Sequence, residues 1–277
     1  MRLLVLLAVA AAALLLLVWF AQRKLIYFPS HDVPDPRELG LRDVEEARFT
    51  ADDGVTLHGW FAPARPDASG RTRGLCVLVS HGNGGDVAHR AHLLRHLPPA
   101  GLHVLVYDYR GYGLSEGSPT EEGLYRDGRA ARAWLLARTG LPPDRLVQFG
   151  ESLGAAVSLE LALDGPPPHA VVLQTPFTSL PGVAGELYPL LPVRLLLLDR
   201  FDNLGKVPRL TAPLLVLHGT QDSLVALSQG RALLERAGSA TKRLVEVTGA
   251  DHNEVWRDAK ARCADVLAFL DGIDTPR

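Results

Sequence analysis

Cysteine is almost absent from this chain, which has two among 277 residues. Cys76 and Cys263 lie far apart and form no CxxC pair, so the sequence predicts neither a disulfide framework nor a cysteine metal site. Neither sign of charge dominates, because the formal net charge is −2 at pH 7. We therefore expect no nucleic-acid partner.

The glycine patterns GxxxxGK[ST] and GxGxxG, which bind phosphates, are also missing. His89, His92 and His96 have helical spacing, but no carboxylate or cysteine accompanies them in register. We expect neither a metal nor a cofactor. Internal repeats and low-complexity tracts are lacking, which favours a single globular domain.

A long hydrophobic run does occur, over residues 3–21, and it contains no charged residue. Crossing the hydrocarbon core of a bilayer takes about 20 apolar residues, so this run is long enough to span it as a helix. A cleaved signal peptide would be shorter and would end in a small-x-small site. The sequence therefore predicts a transmembrane helix in residues 1–24 that anchors the protein in a membrane, followed by an irregular stem in residues 25–43.

The residues at the ends of the run fit a membrane interface but do not indicate the orientation of the chain in the membrane. Trp19 and Phe20 suit an interfacial aromatic belt. Arg2 precedes the run, while Arg23 and Lys24 follow it, so the positive-inside bias nearly cancels. The side of the membrane that carries the rest of the chain stays open.

From residue 44 onward, strand-like runs alternate with helix-like segments. The predicted strands are a hairpin at 44–50 and 55–62 and six apolar runs at 75–79, 103–107, 145–149, 170–173, 214–217 and 243–247. The predicted helices are 87–97, 121–139, 153–164, 225–237 and 253–271. Buried strands that alternate with helices predict an α/β domain over 44–277, with a mostly parallel eight-stranded sheet and helices on both faces.

A proline- and leucine-rich stretch, residues 176–213, interrupts this alternation. It holds more leucines than one helix face needs: Leu187, Leu190, Leu191, Leu195, Leu196, Leu197 and Leu198. Two interpretations stay open. The stretch is either a helix packed on the sheet or an apolar lid that borders the functional site or rests on a membrane.

The most informative pattern is GESLG at residues 150–154, between the predicted strand 145–149 and the predicted helix 153–164. A serine at such a junction lies on a sharp turn that lifts its hydroxyl clear of the sheet. Both glycines are needed, because a β-carbon two residues on either side of Ser152 would collide with the neighbouring strand or helix.

The same pattern occurs a second time, as GLSEG at residues 113–117. In this second copy, the predicted strand 103–107 ends well before Ser115, and the serine lies in the loop 109–117 that follows the strand. The next helix has its own start signals, with Ser118 as N-cap and Pro119 in the first position. We therefore interpret Ser115 as a loop serine and Ser152 as the candidate nucleophile.

A serine nucleophile needs an adjacent base, and the base needs an orienting acid. His252 follows the predicted strand 243–247, and Asp222 follows the predicted strand 214–217. In parallel sheets chemistry gathers at these carboxyl ends. The order serine, aspartate, histidine along the chain is the one that this arrangement requires.

Other residues could fill these roles. Asp222 could simply cap the following helix, and Asp199 or Asp202 could supply the acid. Asp222 is preferred because it alone follows a buried strand on the required side. His81 also lies in a loop after a central strand, whereas His218 is interpreted as structural.

Acyl transfer also needs two backbone N–H donors aimed at an oxyanion. One is expected from Leu153, the residue after the nucleophile. The other is expected from Asn83 in the glycine-rich loop 81–85, because glycines let that loop curl toward the same oxygen.

These segments together resemble the α/β-hydrolase family. The segments that carry the resemblance are HGNGG at 81–85, YDYRGYGLSEG at 107–117, GESLG at 150–154, GTQD at 219–222 and DHN at 251–253. The chain looks most similar to small, membrane-anchored serine hydrolases whose animal members include protein depalmitoylases. The resemblance implies an α/β-hydrolase fold without a large cap domain.

Residues and resemblance lead to one functional expectation. It is a membrane-tethered serine hydrolase that cleaves small or lipid-like carboxylic esters or acyl-thioesters through an acyl-enzyme on Ser152. Two alternatives stay open: a serine peptidase that uses the same chemistry on amides, and a non-catalytic membrane-tethered protein that keeps the fold.

Overall fold

A computed structural model of the protein describes residues 1–66, 68, 70, 72–189 and 191–274. The α-helices in this part of the chain are α1 (Arg2–Ile26), α2 (Ala91–His96), α3 (Glu121–Thr139), α4 (Leu153–Leu163), α5 (Leu180–Leu187), α6 (Val193–Leu196), α7 (Asn203–Lys206), α8 (Leu227–Arg236) and α9 (Ala259–Asp274). The strands are β1 (Phe28–Pro29), β2 (Glu45–Thr50), β3 (Thr56–Ala62), β4 (Leu75–Ser80), β5 (Gly84–Gly85), β6 (Leu102–Tyr107), β7 (Leu146–Glu151), β8 (Ala170–Gln174), β9 (Leu214–Gly219) and β10 (Lys242–Val247). Leu190 and residues 275–277, which the sequence predictions include, lie outside the described residues.

Eight of the described strands form one mixed sheet in the order β10-β9-β8-β7-β4-β6-β3-β2. β3 pairs antiparallel with both β2 and β6, while all the other neighbours run parallel. The predicted α/β architecture is therefore confirmed in its sheet, which has eight strands and an antiparallel hairpin at one edge.

The central strands are buried on both faces, which explains why the sequence reads there as continuous apolar runs. Every residue of β4, β7, β8 and β9 is buried. Within β4, Val77 and Val79 belong to the core that includes residues of α2 and α9. Cys76 and Leu78 point to the opposite core, which includes residues of α3 and α4. The helices therefore cover both faces of the sheet.

Helix α3 spans the predicted residues 121–139, but its N-cap is Thr120 rather than Ser118, and Pro119 lies outside the helix. The Thr120 hydroxyl accepts a backbone N–H of the first turn at 3.0 Å. Pro119 packs against the preceding loop instead, because a β-carbon added at Gly111 would lie only 2.8 Å from its Cδ. Thr120 itself has an extended backbone, with a φ of −148° and a ψ of 157°.

The predicted transmembrane helix is wrong. Residues 2–26 form helix α1, but the described part of the chain contains no helix with both the length and the apolar character to cross a bilayer. Crossing requires about 20 consecutive apolar residues within the hydrocarbon core. The predictions of a single-pass anchor and of a membrane localisation, which rest on residues 3–21, are wrong for the same reason.

The last turns of α1 make polar contacts with the rest of the protein. The buried Gln22 side chain donates to the carbonyl of Leu196 at 3.2 Å and accepts the N–H of Leu198 at 2.8 Å. Arg23 forms an ion pair with Asp199, with 3.3 Å between Nε and Oδ2. The side chains of Gln22 and Arg23, at the polar end of α1, thus have hydrogen-bond and ion-pair partners within the fold.

The chain that follows α1 is also tied to the domain. β1 pairs in parallel with β5, with Phe28 opposite Gly84. Ser30 then donates its N–H to the Gly85 carbonyl at 3.2 Å and accepts the N–H of Gly113 at 2.8 Å. Residues 28–30, part of the predicted stem, therefore lie between two loops of the domain.

The stretch between β8 and β9 folds into the short helices α5, α6 and α7. Several of its large apolar side chains are half-exposed or more, namely Leu187, Tyr188, Leu191, Leu195 and Leu198. These side chains lie at the surface, whereas Pro181 and Val183 of α5 are buried, so both interpretations of the stretch stay open.

Asp199 is a buried carboxylate with donors from separate parts of the chain. It is 4% exposed, and it accepts the Tyr27 hydroxyl at 2.9 Å and the Glu121 N–H at 3.2 Å. Burial, and then the nearby Asp199 charge, raises the pKa of Tyr27 far above its usual value. The phenol therefore stays protonated and donates.

We predict that Tyr27→Phe lowers the free energy of unfolding by about 2 kcal/mol, because a buried carboxylate loses a hydrogen-bond donor. Urea denaturation of the full chain measures this change. Tyr188→Phe is the matched control, since Tyr188 is 57% exposed, and its effect is expected to stay within about 0.5 kcal/mol. Equal denaturation midpoints for the two variants would contradict the prediction.

Candidate active site

Ser152 lies on a strained turn between β7 and α4. Its φ is 50° and its ψ is −108°, a region that residues with a β-carbon rarely adopt. Such strain costs about 1–3 kcal/mol and persists only when the surrounding structure holds it. One holding contact comes from β8, because the Ser152 N–H donates to the Gln174 carbonyl at 2.9 Å.

The two glycines of the pattern allow close approaches on both sides of Ser152. A β-carbon at Gly150 would lie 2.3 Å from the carbonyl oxygen of Gly154, inside the following helix. A β-carbon at Gly154 would lie 1.9 Å from the carbonyl oxygen of Ser80, at the end of β4. The predicted collisions with helix and strand are confirmed.

Ser115, in the second copy of the pattern, is a buried residue of the loop between β6 and α3. Its hydroxyl donates to the Asp108 carbonyl at 2.8 Å and accepts the His58 N–H at 2.9 Å. These bonds brace the loop, and the prediction that Ser115 is a loop serine is confirmed.

The structure brings Ser152, His252 and Asp222 together from three separate loops at one edge of the sheet. Nε2 of His252 lies 3.0 Å from Oγ of Ser152, and Nδ1 lies 2.8 Å from Oδ2 of Asp222. An ionised carboxylate only accepts, so Nδ1 donates to Asp222 and the neutral ring leaves Nε2 to accept the serine proton. This is the arrangement that activates a hydroxyl as a nucleophile.

Asp222 is held in its ionised form. Burial alone would raise its pKa, but hydrogen bonds from His218 and His252 outweigh burial and hold the pKa well below its usual value. The backbone N–H groups of Leu224 and Val225 also donate to the carboxylate, at 3.0 and 2.8 Å. The carboxylate that faces His252 is therefore ionised at neutral pH.

His218, which is interpreted as structural from the sequence, is a neighbour of Asp222; its contact with that carboxylate was not predicted. Its buried Nε2 lies 3.3 Å from Oδ2 of Asp222 and 2.9 Å from the Val225 carbonyl. The available signal was its position at the end of β9, four residues before Asp222. That spacing allows a tight loop to bring the two side chains together.

The two other aspartates that could have supplied the acid have different partners. Asp199 accepts the Tyr27 hydroxyl and pairs with Arg23. Asp202 caps helix α7, where it accepts the Gly205 N–H at 3.0 Å. Neither role is compatible with orienting His252.

His81 is not suited to act as a base. It is fully buried, and its Nδ1 lies 2.7 Å from the Gly82 carbonyl. Burial, together with the nearby positive charge of Arg90, lowers the pKa of His81 to about 3. Its backbone carbonyl accepts the Tyr109 hydroxyl at 2.8 Å, so the residue contributes to the turn after β4.

The glycine-rich loop 81–85 passes beside the serine. A β-carbon at Gly82 would lie 3.8 Å from Cβ of Ser152. Leu153 is the first residue of α4, and the first N–H groups of a helix have no acceptor within the helix. The loop that carries Asn83 and the first residue of α4 therefore both adjoin the serine.

The side chain of Asn83 anchors this loop to two other segments. Its Oδ1 accepts the Tyr112 hydroxyl at 2.8 Å and the Phe28 N–H at 3.3 Å, and its Nδ2 donates to the Ile26 carbonyl. These bonds restrict the conformations that the loop can adopt.

No group of three or more His, Cys, Asp or Glu side chains that could hold a metal ion occurs among the described residues. Of the three histidines at helical spacing, His89 contacts the carboxylate of Asp86 at 3.0 Å. Nδ1 of His96 lies 2.8 Å from the backbone carbonyl of His92. The three rings are not arranged around a common point.

Comparison with known proteins places the chain in a family. A family model described as alpha/beta hydrolase fold matches residues 76–192, and one described as serine aminopeptidase, S33, matches residues 197–258. The alpha/beta hydrolase domain-containing protein WAV2 of Arabidopsis thaliana is 31% identical over 271 residues, which cover 90% of this chain and 86% of the relative. This chain belongs to the α/β-hydrolase family.

The chain is also similar to an uncharacterized protein and to two solved structures. The uncharacterized protein Rv2307c of Mycobacterium tuberculosis is 41% identical over 247 residues, which cover 89% of this chain and 86% of the relative. The Pyrococcus furiosus esterase Pf2001 superimposes with a TM-score of 0.67 at 22% identity, over 89% of this chain and 97% of that one. The esterase domain of a Rhodothermus marinus protein gives a TM-score of 0.61 at 22% identity, over 81% and 96% of the two chains. At 22% identity, these two structures show a similarity of fold alone.

We predict that Gly154→Ala destabilises this hydrolase by about 3 kcal/mol, because the new methyl would overlap the end of β4. Urea denaturation of the purified variants measures the loss. Gly272→Ala is the control, because a β-carbon there meets nothing within 4 Å, and its effect is expected to be neutral or slightly stabilising. A Gly154→Ala protein as stable as the control would show that the turn relaxes without cost.

Proposed function

We propose that this protein is a serine hydrolase that cleaves carboxylic esters or acyl-thioesters through a covalent acyl-enzyme on Ser152. The observation that carries the proposal is the continuous contact from Ser152 through His252 to Asp222, at 3.0 and 2.8 Å. These distances lie within the range over which a base takes a proton from a nucleophile.

In the first half of the reaction, Oγ of Ser152 attacks the carbonyl carbon and His252 takes the hydroxyl proton. The resulting tetrahedral intermediate collapses as the C–O or C–S bond breaks, and His252 gives the proton to the departing alcohol or thiol. In the second half, water attacks the acyl-enzyme with the same base, and the acid product leaves. No cofactor enters this sequence.

The developing negative charge on the carbonyl oxygen needs donors that are already in place. We assign these donors to the backbone N–H groups of Asn83 and Leu153. Two features support the assignment: loop 81–85 runs beside Ser152, and Leu153 is the first residue of α4, where a backbone N–H has no acceptor in a preceding helical turn.

The ionised carboxylate of Asp222 has a separate role. It fixes the tautomer of His252 and stabilises the imidazolium that forms during proton transfer. Because the pKa of Asp222 lies well below its usual value, this support is expected to persist throughout the neutral and mildly acidic range.

The neighbours with solved structures support ester chemistry in preference to other hydrolyses, since they include esterases of Pyrococcus furiosus and Rhodothermus marinus. A second candidate, a serine peptidase, has support from the serine aminopeptidase family model that matches residues 197–258. The two candidates share the nucleophile and differ in the bond that is cleaved.

We predict that a fluorophosphonate probe labels the wild-type protein and that Ser152→Ala abolishes the labelling, because the probe bonds to an activated serine oxygen. Ser115→Ala is the matched control from the second copy of the pattern and is expected to label like wild type. In-gel fluorescence of folded, purified protein gives the comparison. Equal labelling of wild type and Ser152→Ala would remove the basis of the proposal.

Turnover of a substrate panel then separates the two candidates. The panel holds p-nitrophenyl esters of graded acyl length, an acyl-CoA, an acyl-peptide thioester and aminoacyl anilides. Esters or thioesters are expected to turn over, with Ser152→Ala slower by a factor of about 10⁶. Turnover of the anilides alone would favour the peptidase.

We predict that Asp222→Asn lowers kcat by a factor of about 10⁴, because the amide no longer fixes the His252 tautomer. Asp202→Asn is the control, since Asp202 caps α7 and was the rival acid. Steady-state kinetics on the best ester of the panel measures both variants. Comparable losses in the two would show that Asp222 has no special role.

A further inference from the structure

Arg90 connects two segments that flank the serine. It lies at the end of the short helical turn Val87–Arg90, just before α2. Its Nε donates to the carboxylate of Glu151 at 2.8 Å, and its Nη1 donates to the Gly84 carbonyl at 2.7 Å. Both charged side chains are largely buried, with exposures of 12% for Arg90 and 8% for Glu151.

The two acceptors of Arg90 adjoin the residues to which we assign the oxyanion donors. Glu151 immediately precedes Ser152 and lies two residues before Leu153. Gly84 immediately follows Asn83. One guanidinium group therefore spans from the strand end before the nucleophile to the loop that carries the other donor.

The guanidinium lies directly against this loop. A β-carbon at Gly82 would come 3.0 Å from Nη2 of Arg90, and one at Gly85 would come 3.1 Å from Nη1. Any larger residue at these positions would push the cation away. The glycines on both sides of Asn83 thus have a second use, because they let Arg90 reach the backbone between them.

Arginine suits this task for a geometric reason. Its planar group presents several donors in a fixed fork, so two acceptors bound to it keep a fixed separation. A lysine would supply charge at one point without that constraint. A hydrogen bond from a charged donor is also stronger than a neutral one, especially where water is largely excluded.

We propose that Arg90 is a positioning residue that sets the separation of the two oxyanion donors, by holding Gly84 and Glu151 on one guanidinium. The proposal rests on the function proposed above. Arg90 touches neither the substrate nor Ser152, and it acts through the backbone of Asn83 and Leu153.

A positioning role predicts a loss confined to the transition state. Arg90→Gln is expected to lower kcat by about 10²-fold with little change in KM, since removing one oxyanion donor outright costs about 10²- to 10³-fold. Arg90→Lys, which keeps the charge but not the fork, is expected to lose about 10-fold. The measurement is steady-state hydrolysis of p-nitrophenyl butyrate by the full chain.

Inhibition by butylboronic acid supplies a readout that a merely structural role would not move. The boronate forms a tetrahedral adduct on the serine oxygen and places an oxygen at the oxyanion position. Its inhibition constant is expected to rise across the Arg90 variants by the factor by which kcat falls. Arg95→Gln is the matched control, because Arg95 lies on α2 and donates to the Leu39 carbonyl, away from the serine.

The outcomes separate this proposal from the proposed function. If Ser152 of the wild type fails to react with the fluorophosphonate probe, the proposed function fails and this inference falls with it. If Ser152 reacts but Arg90→Lys and Arg90→Gln keep wild-type kcat, the positioning role alone is overturned. It is also overturned if kcat falls while boronate inhibition is unchanged. Should Arg90→Gln not fold, the folded Arg90→Lys variant decides between these results.

Discussion

A serine with a φ of 50° keeps that conformation only while the elements on both sides hold it, and the rest of the site depends on this turn. Gly150 lets the following helix fold back against the turn, and Gly154 lets that helix pass the end of β4. Because β7 lies between β4 and β8, the turn has the glycine-rich loop on one side and Gln174 on the other. β9 and β10 follow beyond β8, and their loops bring in the carboxylate and the imidazole from the same edge.

Three carboxylates of the fold, those of Asp222, Glu151 and Asp199, each have their own hydrogen-bond donors. Asp222 lies between two histidines, Glu151 binds the guanidinium of Arg90, and Asp199 accepts the phenol of Tyr27. Unpaired charges in a poorly solvated interior are costly, so each pairing stabilises a separate part of the fold. Among the described residues, Asp222 is the carboxylate that contacts the imidazole ring of His252. The neighbouring negative charges are engaged elsewhere and do not compete for it.

The sequence predicts those features that depend on residues close together in the chain. The strands and the turn at Ser152 are of this kind, and each of the three candidate site residues could be proposed because it follows a predicted strand. Side-chain pairs across the fold leave no such signal, as for Arg90 and Glu151, which are 61 residues apart. Local signals also fail at the start of α3, where Thr120 is the N-cap and Pro119 lies close to Gly111 within the same loop. At the amino terminus, the apolar run 3–21 predicted a membrane-spanning helix, but no helix of the described residues has the length and apolar character for one.

The pairing of β1 with β5 connects the end of helix α1 to the glycine-rich loop beside the serine. The carbonyl of Ile26, in the final turn of α1, accepts a hydrogen bond from the side chain of Asn83, and the N–H of Phe28 donates to the same side chain. The end of α1 is therefore joined to the loop beside the serine both by the side chain of Asn83 and by the backbone pairing of β1 with β5. The amino-terminal segment thus helps to fix the loop to which one oxyanion donor is assigned.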